Sequence, residues 1–248
     1  MSLSDDELAR YARHIVMPQV GGVGQSRLKE ASVAVIGAGG IGSAVLPALA
    51  GAGIGRLTII DGDAVDSSNL HRQTIFREQD VGRPKAECAA AFVAALNHFV
   101  EVRPVADRID RANSAALLDG HSLVIDGSDN FATRLAVGDS SVQLGLPLVS
   151  AAAIQFQGQV GLFEGKPCYR CFAGGAFDSE DCDNCSELGV LGALAATAGS
   201  FAALLAINRV AGVGPSQAGQ LHLFDGEKLS WRTIRIPPDP GCTVCGSA

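Results

Sequence analysis

An α/β fold with a mainly parallel sheet and helices on both faces is what this sequence predicts, and three observations predict it. A short β-branched run at 33–36 enters a turn carrying Gly37, Gly39 and Gly42, and an Ala/Leu-rich helical pattern follows over 43–52. A second apolar run at 57–60 ends on Asp61. The alternation of short apolar strand and helix then continues to residue 151, the pattern of crossover units in a parallel sheet. From residue 152 alternating residues and tight turns predict an antiparallel C-terminal extension.

Each element has its own signal. Residues 5–16 read as an amphipathic helix capped by Ser4, with Arg10 on its solvated face. Gly21, Gly22 and Gly24 predict a loop, and 26–30 a short helix before the first strand. After Asp61 comes a polar, turn-rich stretch with Asp63, Asp66, Asn69, His71 and Arg72. Pro84 opens a helix whose buried stripe is Cys88, Ala89, Phe92, Val93 and Leu96, which makes Cys88 core. Lys85 sits in its first turn, where a cation opposes the helix dipole and so points to a facing anion. Strands are expected at 100–105, 122–125 (ending on Asp126) and 147–151, with helices at 113–118 and 130–144 between them. Beyond them come antiparallel strands over 154–171, a long helix at 189–210, and a hairpin of 221–224 with 230–236 around Asp225-Gly226.

Gly37, Gly39 and Gly42 have G-x-G-x-x-G spacing between a strand and a helix, and an acid follows about twenty residues on. Glycines let the backbone approach a phosphate, the helix N-terminus offers free N–H groups, and Asp61 is placed for a ribose hydroxyl. Asp63, Arg72, Lys85, Asp126 and Asp129 all lie at or after carboxyl ends of strands, where such sheets bind ligands.

The composition sets bounds. With 248 residues, 47% of them hydrophobic, the chain holds one large core. A net charge of −7 argues against nucleic acid and anionic membranes as partners. The acidic N-terminus lacks a signal peptide's apolar core, and no stretch spans a bilayer comfortably, so a cytoplasmic location is expected. Six of the seven cysteines form three C-x-x-C pairs. In a reducing compartment these predict metal chemistry, with zinc suited to an all-thiolate tetrahedral site. Two pairs close such a site, and spacing leaves the choice open. Cys168/Cys171 with Cys182/Cys185 is the economical local site, whereas Cys242/Cys245 has the turn of a zinc knuckle and would staple the C-terminus to the sheet.

Together these residues resemble the bacterial MoeB/ThiF family of adenylating enzymes, relatives of the ubiquitin-activating enzymes. The resemblance covers nearly the whole chain: RYARHI at 10–15, GAGGIG at 37–42, DGD at 61–63, SNLHRQ at 68–73, GRPK at 82–85 and DGSDN at 126–130. PCYRC at 167–171, NCSELGV at 184–190 and PGCTVCG at 240–246 complete the set in family order. His71 stands where Gln is usual, Gly127-Ser128 where Cys-Thr is common, and Cys182 is extra.

The resemblance implies a Rossmann-like fold with a zinc staple, in one adenylating domain over 1–248. N-terminal helices would fill 1–30, the nucleotide-binding core 31–151, and antiparallel strands, long helix and zinc knuckles 152–248. It implies ATP-dependent adenylation of the C-terminal glycine carboxylate of a ubiquitin-like sulfur-carrier protein, for thiamine or molybdenum-cofactor biosynthesis. Arg72 and Lys85 would stabilise the phosphates, Asp129 would hold Mg²⁺ and Asp61 the ribose. Gly37, Gly39, Gly40, Gly42, Asp63, Ser68, Asn69 and Asn130 would complete the ATP site. Arg13 would reach the ATP of the other subunit of a homodimer, and Cys185 would be able to link to the carrier. Structural Zn²⁺ would use Cys168, Cys171, Cys242 and Cys245. The expected partners are a carrier ending in Gly-Gly, a second copy of the chain and a sulfur-donor protein. LFDGEKLSWR at 223–232 leans toward the thiamine branch. Two other classes share parts of the pattern: a nicotinamide-dependent oxidoreductase, and a non-catalytic zinc-stapled scaffold for the carrier. Arg72, Lys85 and Asp129 suit a triphosphate with metal better than a hydride acceptor.

Overall fold

The structure, a computed structural model, describes residues 3–174 and 189–246. Eight strands form one sheet in the order β3-β2-β1-β4-β5-β6-β7-β8. β1 (Ser32–Ile36), β2 (Arg56–Ile60), β3 (Glu101–Val105), β4 (Leu123–Asp126) and β5 (Leu148–Ile154) run parallel. β6 (Gln157–Phe163), β7 (Gln220–Asp225) and β8 (Ser230–Arg235) extend the sheet antiparallel. The expected change of architecture after residue 151 is therefore present, within one continuous sheet.

Alternate residues of β1 divide between two apolar layers. Val33 and Val35 pack with α3 (Gly21–Glu30), α4 (Gly42–Ala52), α5 (Lys85–Leu96) and α9 (Gly192–Ala211). Ala34 and Ile36 pack with α6 (Ser114–Leu118), α7 (Phe131–Gln143) and α8 (Tyr169–Ala173). A strand buried on both faces reads as an unbroken apolar run, which is why SVAVI carries no alternation. By length and composition α9 is the one described helix able to cross a membrane. In the fold it lies against α4, β5 and β6, burying Leu194, Ala198, Ala202 and Ala206.

The N-terminus differs from the expectation. The helix over 5–16 is broken at Tyr11 into α1 (Asp5–Arg10) and α2 (Ala12–Ile15). Tyr11 is buried against the C-terminal turn of α4 at Gly53, and its hydroxyl accepts the Asn97 side-chain N–H at 2.8 Å. Anchoring that ring turns the chain out of the helix. Arg10 is exposed as expected, but donates to the Leu96 carbonyl at 2.5 Å. Gly22 and Gly24 lie in α3 rather than in a loop, Gly21 at its start keeps the left-handed φ of +58° of a turn, and Gly24 lets α3 approach Ala211 of α9. Leu96, read as core, is exposed at the end of α5, whereas Cys88 is buried as expected.

The sheet ends on two edges of different character. β3 presents Glu101, Arg103 and Pro104 to solvent, and β8 presents Trp231, Arg232 and Arg235.

Candidate active site and metal centre

β1 is flanked by β2 on one side and β4 on the other, so chain connections leave in opposite directions and open a crevice at their carboxyl ends. The glycine turn fills this point. Gly37 has φ +86°, and a Cβ there would lie 3.2 Å from the Gly127 carbonyl, so the two loops touch backbone to backbone. A Cβ on Gly42 would come within 2.2 Å of the Gly37 oxygen, a clash no side chain relieves. Both positions therefore admit glycine alone, and the first turn of α4 faces the crevice beside Gly39 and Gly40.

Asp61 holds this turn. One carboxylate oxygen accepts the Ala38 N–H at 2.8 Å and the other the Asp63 N–H at 2.9 Å. Burial pushes its pKa up, against the lowering effect of those two N–H groups and of Lys85. Each oxygen keeps a lone pair, so a ribose hydroxyl remains within its acceptor capacity.

Two cations border the turn. Arg72 follows the 3₁₀ turn Ser67–Asn69, which Asp66 caps through the Ser68 N–H at 2.8 Å and hydroxyl at 2.6 Å. The Arg72 guanidinium donates to Asn69 Oδ1 and lies 2.9 Å from His71 Nε2. Its side chain packs beside Gly40 and beside Gly192, at the start of α9. Lys85 is buried, and its ammonium lies 3.2 Å from Asp63 Oδ2. The sequence hint of a facing anion is thus met by Asp63, which Arg108 also approaches at 3.4 Å. A buried lysine held by an exposed, shared carboxylate is a cation ready to exchange partners.

Asp129 is exposed just past β4. Asn130 follows it, exposed, and its side-chain oxygen accepts the Thr133 N–H at 2.9 Å and caps α7. Arg13 is exposed on α2, at the opposite end of α4 from the crevice, about 16 Å by helix length. Within one chain the structure does not bring it to the site. Sequence reasoning passed over Gln73, which is buried beside Gly39 with its Oε1 unpartnered among the described residues. Its place in SNLHRQ was the available signal. Asp126, expected at a strand's carboxyl end, is buried at the end of β4, and the buried Arg134 beside it had no signal in the sequence.

The second constellation is Cys168, Cys171, Cys242 and Cys245, whose sulfurs all lie within 4.8 Å of one another. The separations are 3.9 Å for 168–171, 3.6 Å for 168–242 and 3.4 Å for 171–245. Four thiolates about 2.3 Å from one zinc stand about 3.8 Å apart, so the donor set fits a tetrahedral soft ion. Burial pushes the Cys168 thiol up. Burial opposes ionisation of Cys242 too, but the N–H groups of Cys245 and Val244 and the neighbouring thiols outweigh it, leaving it at about 7. Between the two pairings that spacing left open, this geometry joins the first pair to the last. Cys182 and Cys185 lie outside the described residues.

The pattern of the ThiF family matches residues 11–244. The sulfur carrier protein adenylyltransferase of Thermus thermophilus is 43% identical, over 99% of this chain and 93% of its own length. The SAMP-activating enzyme E1 of Haloferax volcanii is 41% identical, over 99% and 92%. The molybdopterin-synthase adenylyltransferase of Escherichia coli is 38% identical, over 98% of both chains. Among solved structures, E. coli MccB with MccA-N7isoASN superposes with a TM-score of 0.85 at 23% identity, covering 98% of this chain and 75% of that one, a likeness of fold.

Proposed function

The chain belongs to the ThiF family, and from that premise we propose that it is an adenylyltransferase that uses ATP to activate the C-terminal carboxylate of a ubiquitin-like sulfur-carrier protein. The observation that carries the reading is the convergence at one sheet edge of the glycine turn, Asp61, Arg72, Lys85 and Asp129.

In the proposed reaction a carrier carboxylate oxygen attacks the α-phosphorus of ATP. The bond to the bridging oxygen breaks, pyrophosphate leaves with that electron pair, and an acyl-adenylate remains. Negative charge spreads over the phosphate oxygens, and preorganised cations lower that barrier. We assign Arg72 and Lys85 to those oxygens. Lys85 would exchange Asp63 for phosphate, and Arg72 would turn from Asn69 and His71. Gly37, Gly39, Gly40 and Gly42 would bring backbone N–H groups to the phosphates, with Ser68 and Asn69 on the crevice wall. Asp61 would accept from the ribose. Asp129 would hold Mg²⁺, which supplies charge neutralisation at the phosphates when bound. The four cysteines would hold a structural Zn²⁺ that supplies cross-linking and no step of the reaction. Cys185 remains the candidate for a thiol link to the carrier, downstream of adenylation. A cytoplasmic location follows from the use of cysteines as thiols and metal ligands.

The test is ATP–pyrophosphate exchange with purified carriers from the thiamine and molybdenum-cofactor routes, which share a Gly-Gly end. Exchange should need the intact tail of at least one of them. Silence with both, with Mg-ATP present, would overturn the reading.

We further propose a homodimer in which Arg13 serves the partner's ATP. Its remoteness from the crevice of its own chain supports this, as do the exposed Leu191 at the cap of α9, Leu204 on α9, Phe156 in the β5–β6 turn and Trp231 on β8. Arg13→Ala and Asp129→Ala chains, each inactive alone, should recover activity when mixed. Random pairing gives half mixed dimers with one intact site each, so roughly a quarter of wild-type activity is expected. No recovery, with subunit exchange demonstrated, would remove Arg13 from the partner's site.

A further inference from the structure

Behind the exposed Asp129 lies a buried polar cluster to which the chemistry above gives no role. Arg134, in the first half of α7, is 7% exposed. Its guanidinium donates to the Ser128 carbonyl, to the Ala151 carbonyl at 2.8 Å and to Ser150 Oγ at 3.1 Å. From the other side Asp126, fully buried, accepts the Ser128 N–H at 2.9 Å and the Ser128 hydroxyl at 2.7 Å. The peptide group between 127 and 128 is thus pinned by a carboxylate, and the one between 128 and 129 by a guanidinium. Immediately after Asp129, the Asn130 side chain caps α7. The Asp129 side chain stands free on a backbone fixed both before and after it.

Packing alone does not call for this residue. A buried guanidinium must replace its water with fixed acceptors, and an apolar side chain would fill the space without that demand. The planar fork does what no apolar residue can: it ties the loop after β4 to the middle of β5 through two carbonyls at once. α7 itself is held from behind. Tyr169 is buried on Gly138, its Cβ 3.0 Å from where a Cβ would stand there. Arg170 forks onto Asp139 at 2.7 and 3.0 Å.

We propose that Arg134 is a positioning residue, which fixes the Ser128–Asp129 peptide so that the Asp129 carboxylate meets the metal–nucleotide complex in one orientation. This rests on the adenylation reading for the role of Asp129. The clamp itself rests only on the hydrogen bonds above.

Arg134→Lys keeps the charge and loses the fork, and two measurements on that one protein test the proposal. Amide hydrogen exchange at 127–129 should quicken at least tenfold while the central strands keep their protection. In pyrophosphate exchange kcat should fall at least tenfold and the half-saturating Mg²⁺ concentration rise severalfold, with KM for the carrier unchanged. Should the lysine variant fail to fold, Ser150→Ala removes one contact of the fork and is expected to move both readouts the same way, by about threefold. Unaltered protection at 127–129 overturns the proposal, as does a loss spread evenly through the domain. So does local loosening with unchanged kcat and Mg²⁺ demand. Wild-type exchange abolished by Asp129→Ala checks the underlying reading. Its absence sinks that reading and the proposal with it, whereas its presence beside an unaffected Arg134→Lys sinks the proposal alone.

Discussion

Asp129→Ala is expected to abolish carrier-dependent pyrophosphate exchange while leaving the fold intact. The side chain is exposed and takes no part in the core, so its removal should change stability by no more than about 0.5 kcal/mol. Its expected role is to hold the Mg²⁺ that would neutralise charge on the phosphates, and by analogy with an oxyanion donor its loss should remove about 3–4 kcal/mol of transition-state stabilisation. That is on the order of 10²–10³ in kcat. Arg72→Ala should lose a similar amount, since its side-chain stem packs beside Gly40 at the crevice. Thermal unfolding and exchange measured on the same preparations separate the two effects. Near-wild-type exchange in either variant would remove that residue from the reaction.

Cys242→Ser is expected to have the largest effect on the fold. Zinc content should drop from about one per chain toward zero, because a tetrahedral site short of one thiolate binds far more weakly. Structural zinc contributes on the order of 10–16 kcal/mol in isolated peptide sites, where metal binding and folding are one event. Here the eight-stranded sheet has its own core, so the loss should fall on the segment after β8 rather than on the whole domain. Cys168 and Cys242 are 74 residues apart, so losing the clip also returns closure entropy to the unfolded chain. Metal analysis and limited proteolysis of the tail would report both consequences. Cys182→Ser is the control and should keep full zinc. The reverse outcome, with zinc retained by Cys242→Ser and lost by Cys182→Ser, would restore the local pairing of 168/171 with 182/185.

The parts of this protein legible in its sequence are those decided by short-range physics. SVAVI must be a strand buried on both faces, and GAGGIG must be a turn between strand and helix. The acids after β2 and β4 could be placed at the crevice because a strand's carboxyl end fixes the address of the residue that follows. Contacts distant in sequence decided the rest. Tyr11 breaks its helix because a pocket at Gly53 and Asn97 receives it. Gly24 is helical where α9 lies against α3, and propensity yielded to that packing. The cap that Asn130 makes on α7 is a local contact that its sequence allowed and the fold shows. Arg134 is invisible in a pattern because arginine in a helix ordinarily means surface. Only the fold shows that it faces three acceptors. Among the described residues the fold gathers the first and last cysteine pairs, a geometry that no spacing rule contains.

The outer strand β3 carries one more consequence, and it concerns how the molecule avoids joining with others. Pro104 gives no N–H to either side, and Glu101 and Arg103 flank it in solvent. A foreign strand laid along this edge would miss a donor and bury charges in registering, which is how natural sheets discourage growth into fibres. At the other end Arg232 and Arg235 guard β8 in the same manner. Both borders of the sheet thus weigh against ladder formation, so a partner would meet this chain mainly through side chains and loops.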